Sequence, residues 1–314
     1  MFINSLNHYI PELRISNSYF ENINGLTEDW ILQRTGIKTR SWAGEGENTN
    51  TMGIKACESA AEHLPYPISE VDLIVGGTYT PFDTVGTLAH SVQRHFKISG
   101  AKVFTMSSAC SSFVNALEIA EGYFAMGKAS KALIVASEHN TAYHNPSDSV
   151  AGHLWGDGAA AVFVSKERIS ENDMEIADII TYGHAEEGQG PEGVMLHPWD
   201  GGIKMPFGKD VFIHAVKHMR LRVEELLERN GYTLNDISFL IPHQANTRIM
   251  DNVAENLGVP KEKVFVNISE LGNTGCPSSA IALSQNLDRI KKGDILALTV
   301  FGGGYSSGAL LLKA

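Results

Sequence analysis

Short runs of Val, Ile and Leu alternate with amphipathic stretches along this chain, and the alternation plays out twice. The apolar runs are Val71–Val75, Val103–Met106, Ala132–Ala136 and Ala159–Val164, then Phe239–Ile241, Val264–Asn267, Ile295–Val300 and Ala309–Leu312. Runs this short, bounded by turn residues, read as buried strands. Between them, Met52–Leu64, Cys110–Met126, Asp210–Asn230, Thr247–Leu257 and Pro277–Ile290 read as helices. Such alternation calls for an α/β fold with mostly parallel central strands. The halves can be laid on each other: Gln93–Phe104 ends in Ala-Lys-Val-Phe and Ala254–Phe265 in Glu-Lys-Val-Phe. Each is followed by a small-residue loop, a helix, a Gly/Lys turn and another apolar run. The offset of about 160 residues is half the chain and indicates a duplicated α/β unit, not a short-period solenoid. A charged stretch at Ser165–Asp178 marks the boundary, so residues 1–170 and 171–314 are expected to form the two halves.

Composition narrows the function. The net charge of −11 and the lack of any Lys/Arg run argue against nucleic acid. No stretch reaches the ~20 apolar residues of a membrane span, and no secretory leader pattern opens the chain, so a soluble cytoplasmic protein with no membrane partner is expected. Three cysteines, Cys57, Cys110 and Cys276, are too few and too unpatterned for a disulfide framework.

Cys110 stands where a strand gives way to a helix, in Met106-Ser-Ser-Ala-Cys-Ser-Ser-Phe. A thiol at a helix N-terminus is expected to have its pKa lowered from about 8.5. The alternative is an ordinary small core residue, which is the reading for Cys57, inside an amphipathic helix; Cys276, in a loop, fits neither reading clearly. His243 lies just beyond the carboxyl end of an apolar strand, in Phe239-Leu-Ile-Pro-His-Gln-Ala-Asn, at the edge where open α/β sheets bind ligands. By the duplication, the loop carrying Cys110 corresponds to Leu271-Gly-Asn-Thr-Gly-Cys-Pro-Ser-Ser, with Asn273 near its centre. Pseudo-twofold packing could bring Cys110, His243 and Asn273 to one spot. Phe301-Gly-Gly-Gly-Tyr-Ser-Ser-Gly precedes a strand, whereas a dinucleotide fingerprint opens a helix. Its glycines suit close backbone approach to a ligand. His214 and His218 have a metal-like spacing but lack the glutamate and third ligand of a zinc motif, so no metal is expected.

Several blocks in order then carry a resemblance over essentially the whole chain. They are Trp30-Ile-Leu-Gln-Arg-Thr-Gly-Ile, Ala109-Cys110, Gly156-Asp-Gly-Ala, Gly208 with Val211-Phe212, Pro242-His-Gln-Ala-Asn, Gly272-Asn-Thr and Phe301-Gly-Gly-Gly. Together they resemble the thiolase-fold 3-oxoacyl synthases of the type III ketoacyl-acyl-carrier-protein synthase group. The resemblance implies a five-layered αβαβα fold of two related halves, a homodimer, and acyltransfer chemistry without a cofactor. It implies Cys110 as nucleophile, His243 and Asn273 as catalytic partners, and backbone N–H groups of Cys110 and Gly303 as the oxyanion hole. Trp30, Arg34, Gly208, Phe212, Asn246 and Arg248 would contact pantetheine and nucleotide. The substrates implied are an acyl-CoA and a malonyl-type thioester, one or both on an acyl carrier protein.

The chain departs from that pattern in places. Glu255 and Asn256 stand where the family carries adjacent carrier-docking lysines, Asp251 adds another negative charge, and Ile213 replaces a further lysine. Repulsion should weaken docking of an ordinary acidic carrier. Ser149 takes the place of an arginine near the nucleotide, and Val85 that of a gating Phe, which suggests a roomier acyl pocket; Gly275-Cys-Pro replaces small residues. These departures favour a specialised condensing enzyme, with the fatty-acid initiator as the alternative. A plain acyltransferase working through Cys110 and a non-catalytic partner subunit are further readings; the intact Cys, His and Asn weigh against the last.

Overall fold

Strands form where the sequence offers continuous Val, Ile, Leu and Ala, and the computed structural model, which describes residues 1–314, arranges nine of them in one hydrogen-bonded order. In chain order they are β1 (Phe2–Tyr9), β2 (Leu73–Gly77), β3 (Lys102–Met106), β4 (Lys131–Glu138), β5 (Gly158–Ser165), β6 (Met174–Gly183), β7 (Ile237–Pro242), β8 (Ile295–Gly302) and β9 (Ser306–Lys313). The spatial order is β7-β8-β9-β6-β1-β5-β4-β2-β3. Only two residue pairs, Phe2↔Glu175 and Ile3↔Met174, join β1 to β6. The array is therefore two sheets meeting at one short seam.

Each sheet repeats the other. In the first, β2 pairs in parallel with β3 and β4, β5 runs against β4, and β1 runs against β5. In the second, β7 pairs in parallel with β8, β9 runs against β8, and β6 runs against β9. A single parallel bridge, Leu240↔Val264, stands where the mate of β3 would be. Numbering strands within each half, both have the order 3-2-4-5-1, with all but the fifth pointing one way. The expected strand at Val264–Asn267 is reduced to that bridge, because Val266 turns into solvent and only Val264 and Phe265 face the core.

Helices complete five layers. Ser112–Ala125 and Ser278–Ser284 lie between the sheets, and Phe113, Leu117, Ile281 and Leu283 join one core with strands of both. A helix buried on every side must be apolar or small all round; residues 278–283 are all buried. It ends at Ser284, short of the expected Ile290, and a 3-10 turn at Leu287–Arg289 follows. Outside the second sheet, Gly208–Arg229 and Thr247–Asn256 pack through Met219, Val223, Leu226 and Val253. Outside the first, Thr49–Ala61 and Leu88–Phe96 pack through Met52, Cys57, Leu88 and Val92. Cys57 is fully buried there, as its helical position suggested. Strands β1 and β6 escape a search for apolar runs: Phe-Ile-Asn-Ser-Leu-Asn-His-Tyr is broken by polar residues.

Candidate active site

Cys110 sits in the loop between β3 and the central helix Ser112–Ala125, two residues before the helix begins. The preceding Ala109 adopts the left-handed region at φ 47°, which turns the Cys110 side chain out of the strand direction. The turn between β8 and β9 lies directly against this loop: a Cβ on Gly302 would fall 2.7 Å from the Cys110 nitrogen. Glycine is required there by backbone contact, and Gly303 follows it into the same cavity. Ser111 Oγ, 2.9 Å from Ser306 Oγ, ties the two segments together.

His243 follows β7, its N–H donating to Thr299 O at 2.8 Å and so extending the pairing with β8 by one residue. Its Nδ1 lies 2.7 Å from Ser278 Oγ, at the start of the second central helix. Ser278 Oγ also accepts the Gln244 N–H at 3.3 Å. Asn273 donates its N–H to Leu154 O at 2.8 Å and accepts the Gly156 N–H at 3.0 Å. Its Oδ1 accepts the Gly275 N–H at 3.0 Å, so the carboxamide oxygen is occupied and the NH2 is the group left to donate. Cys110, His243, Asn273 and Gly303 all line one enclosed, mainly apolar cavity of about 50 Å³.

Burial governs the protonation states. It drops His243 to about 4, so the ring is neutral at pH 7. Burial also pushes the Cys110 thiol up to about 12; the Glu138 charge adds to this, and the Tyr79 hydroxyl and the cysteine's own N–H oppose it. The expected lowering at a helix N-terminus is thus overturned: desolvation of a buried thiolate outweighs the helix-end N–H groups. The resting cavity holds an uncharged thiol and an uncharged imidazole.

A second space adjoins it. Trp30, Arg34, Gly208, Phe212, Asn246 and Arg248 all line one open cleft of about 1010 Å³. Met205 borders both the cleft and the Cys110 cavity. The cleft walls are built by contacts between remote segments: the Arg34 guanidinium lies 4.8 Å over the Trp30 ring. Arg248 donates to Gln33 O at 3.0 Å and Asn246 to Arg34 O at 3.2 Å. Sequence reading missed Lys209 and Lys261 on this wall. With Arg34 and Arg248 they set four cations against Asp251 and Glu255, a locally positive lining on a chain of net charge −11.

Other residues move the picture. Val85 is 85% exposed on a turn and lies outside the Cys110 cavity, so it does not size a pocket within its own chain. Tyr79 is the neighbour that sequence reading overlooked. Its buried Oη has no hydrogen-bond partner and stands near Cys110, and the residue lines an outer groove of about 890 Å³ behind the Cys110 cavity. Glu138, also missed, is fully buried behind it; burial raises it to about 7 against hydrogen bonds from Thr78, Tyr79 and Thr80. Cys276 is buried with its thiol 3.3 Å from Gly77 O, and burial holds it well above the usual thiol range.

The geometry meets known proteins at this point. Residues 104–183 and 227–314 match the 3-oxoacyl-[acyl-carrier-protein] synthase III family and its C-terminal domain. The chain is 36% identical to the beta-ketoacyl-[acyl-carrier-protein] synthase III of Aquifex aeolicus over 307 residues, 97% of this chain and 96% of that one. This chain belongs to the 3-oxoacyl-[acyl-carrier-protein] synthase III family. The Oleidesulfovibrio alaskensis enzyme of the same name is 35% identical, covering 99% and 98% of the two chains. The crystal structure of the Aquifex 3-oxoacyl synthase III superposes with a TM-score of 0.92 over 100% of this chain and 99% of that one, at 36% identity. The priming beta-ketosynthase of the R1128 polyketide pathway does so at 0.90 and 30% identity, over 99% and 95% of the chains. The fold is thus thiolase-like, and the chain is a condensing enzyme of the acyltransferase class.

Proposed function

We propose that this synthase III loads a short acyl group from acyl-CoA onto Cys110 and condenses it with a malonyl thioester held on CoA or a carrier protein. The observation that supports this best is the meeting of Cys110, His243, Asn273 and Gly303 in one cavity that shares Met205 with the cleft. The cleft takes the long polar carrier arm: Trp30 and Arg34 offer a stacking face, and Lys209, Arg248 and Lys261 attract phosphates. Cys110 Sγ attacks the thioester carbonyl, a new S–C bond forms, the carrier C–S bond breaks, and the thiol proton leaves with the released carrier thiol. Backbone N–H groups of Cys110 and Gly303 hold the oxyanion, each worth about 3–4 kcal/mol in such a site.

In the second step the malonyl C–C bond breaks, carbon dioxide departs, and the electron pair moves onto the thioester oxygen as an enolate. Neutral His243 and the Asn273 NH2 donate to that oxygen. Ser278 Oγ accepts the Gln244 N–H and lies 2.7 Å from His243 Nδ1; the mechanism calls for its hydrogen to go to Nδ1, which leaves the ring proton on Nε2 for the substrate. The enolate carbon attacks the acyl-cysteine carbonyl, the C–S bond to Cys110 breaks, the 3-oxoacyl product leaves, and the Cys110 thiolate takes a proton from solvent. No step needs a metal or redox cofactor.

A cavity of about 50 Å³ beside Cys110 is small and suits a small starter. The Glu255 and Asp251 charges beside the cleft favour a specialised pathway whose carrier differs from the ordinary acidic one. We further propose that the chain works in the cytoplasm as a homodimer, each chain built of halves 1–170 and 171–314; no helix is long and apolar enough to cross a membrane.

The test is intact-protein mass spectrometry with a panel of short, long and aromatic acyl-CoAs, with and without malonyl-CoA, alongside Cys110→Ala. An acyl adduct on the wild type alone, discharged by malonyl-CoA with a 3-oxoacyl product, is expected. Stable adducts with no carbon–carbon product from malonyl-CoA or a malonyl carrier would make the chain a plain acyltransferase. No adduct from CoA or carrier-bound donors would end the catalytic reading.

A further inference from the structure

The helix Gly208–Arg229 carries His214 and His218 one turn apart on one face. In sequence that pair lacks a carboxylate and a third nitrogen, and the fold supplies both from the segment leaving β6. Glu187 is the hub. His218 Nε2 lies 2.9 Å from its Oε2, His184 Nδ1 3.6 Å from its Oε1, and His214 Nε2 4.0 Å from its Oε2. Donors around a tetrahedral zinc ion, each about 2.0–2.2 Å from it, stand roughly 3.3 Å apart. The observed separations bracket that value, and His184, Glu187 and His218 need only small shifts to share one ion.

The hydrogen bonds at the far side of the rings aim them at the hub. His214 Nδ1 lies 2.9 Å from the Asp210 carbonyl oxygen, which can only accept. The hydrogen therefore sits on Nδ1, and Nε2 is the ring nitrogen that faces Glu187. His184 Nε2 is anchored 2.8 Å from Ser307 Oγ, which leaves Nδ1 facing Glu187. Outer bonds of this kind fix ring orientation in metal centres. The His218 ring is held between His184, 3.8 Å away centroid to centroid, and Phe301 at 6.1 Å. His218 is 3% exposed and its Nδ1 has no partner. Lys217 Nζ, 2.6 Å from Glu187 Oε2, is the cation now at the hub, on a half-exposed side chain that can swing away.

We propose that His184, Glu187 and His218, with His214 as fourth ligand, form a binding site for one divalent transition-metal ion of the zinc type, in competition with the Lys217 ammonium. Two or three imidazoles and one carboxylate suit zinc or cobalt(II), and not the all-oxygen preference of calcium or magnesium. A bound ion would tie the helix that borders the substrate cleft to the end of β6. Nothing in the condensation requires it, so its test is independent of the active-site reading.

The full-length protein, stripped with a chelator, is titrated with cobalt(II), then zinc(II), at neutral pH. One equivalent of cobalt(II) per chain with visible d–d absorption, displaced by zinc(II), is expected, together with a zinc-dependent rise in melting temperature. Glu187→Gln and His218→Gln should each weaken binding at least ~10-fold, and exposed His90→Gln should leave it unchanged. Lys217→Met should tighten binding several-fold, because the competing ammonium is gone. No saturable one-to-one binding by the wild type overturns the proposal, as does equal affinity in the Glu187 and His218 variants. If those variants fail to fold, Lys217→Met decides: unchanged or weaker affinity makes the cluster an ion pair and nothing more.

Discussion

Replacing Ser278 by Ala should separate the two halves of the reaction. Ser278 touches no substrate atom in the proposed mechanism, yet its Oγ lies 2.7 Å from His243 Nδ1 and 3.3 Å from the Gln244 nitrogen. Without it, Nδ1 has no partner holding the hydrogen on Nε2, and the ring is free to populate the tautomer that cannot donate to the enolate. His243 itself keeps its place through its backbone bond to Thr299. The loss is therefore a fraction of a full donor: about 1–2 kcal/mol of the 3–4 expected for one donor, or roughly 5–30-fold in rate. Leaving the Gln244 N–H and His243 Nδ1 unpaired in a buried place should also cost about 1–3 kcal/mol of stability, visible as a lower melting temperature. The assay follows one acyl-enzyme in two stages by mass: appearance of the adduct from acyl-CoA, then its disappearance on adding malonyl-CoA. Loading should proceed at close to the wild-type rate, while discharge falls 5–30-fold. Ser278→Thr, which retains the hydroxyl, should recover discharge. Equal slowing of both stages, or no slowing of discharge, would refute the assignment of the tautomer to Ser278.

Four more outcomes follow from the same geometry. Asn273→Asp replaces the donating NH2 by a carboxylate that repels an enolate, so discharge should fall about 100–1,000-fold while the adduct still forms; normal discharge would remove Asn273 from the mechanism. With the thiol raised to about 12, alkylation of Cys110 in the free enzyme should climb tenfold per pH unit through pH 9–11, where an ordinary thiol has levelled off. A plateau near pH 9 would show that the helix end prevails after all. Glu138 has a folded pKa of about 7 against an ordinary 4.5, so the stability tied to its proton is complete below pH 4.5 and lost as pH rises through 7, about 3 kcal/mol in all. Glu138→Gln should flatten the unfolding free energy across that window, and an unchanged slope would assign the proton elsewhere. Tyr79→Ala should open the Cys110 cavity toward the outer groove of about 890 Å³ and extend loading to longer acyl-CoAs; an unaltered chain-length profile would show that Tyr79 does not limit the pocket.

The parts of the fold that were legible are those where burial dictates residue type over several positions. Strands β4, β5, β8 and β9, whose residues are almost all buried, announce themselves as apolar runs. The strands β1 and β6 do not, because half their residues face polar surroundings and their identity comes from pairing with distant partners. The places of Cys110, His243 and Asn273 were legible because all three follow strand ends, and the repeat puts Cys110 and Asn273 on corresponding loops. The protonation state of Cys110 was not: it depends on how deeply the β8–β9 turn and the Glu138 carboxyl bury it, and those are contacts over more than 25 residues of chain. Val85 could not be placed in the same way, since within its own chain it is exposed on a turn away from the Cys110 cavity.

The duplication also explains why Tyr79 stands where it does. In the second half, strand two (β7) is followed at once by His243, and strand three, reduced to the Val264 bridge, leads through Asn273 into a central helix. In the first half, strand two (β2) is followed by Thr78 and Tyr79, and strand three (β3) leads through Cys110 into the other central helix. Tyr79 is thus the first half's near counterpart of His243, as Cys110 is of Asn273. The pseudo-twofold brings all four toward the seam between the two central helices. In the proposed mechanism one half contributes the atom that carries the acyl group, with a hydroxyl nearby, and the other contributes the two neutral donors suited to an enolate. Both loops lead into central helices that share one core, so the division sets the nucleophile and the donors on opposite sides of a common packed layer. Tyr79 lines the outer groove and not the Cys110 cavity itself, so a change there can open the groove toward Cys110 while the donor geometry at His243, Ser278 and Asn273 stays fixed.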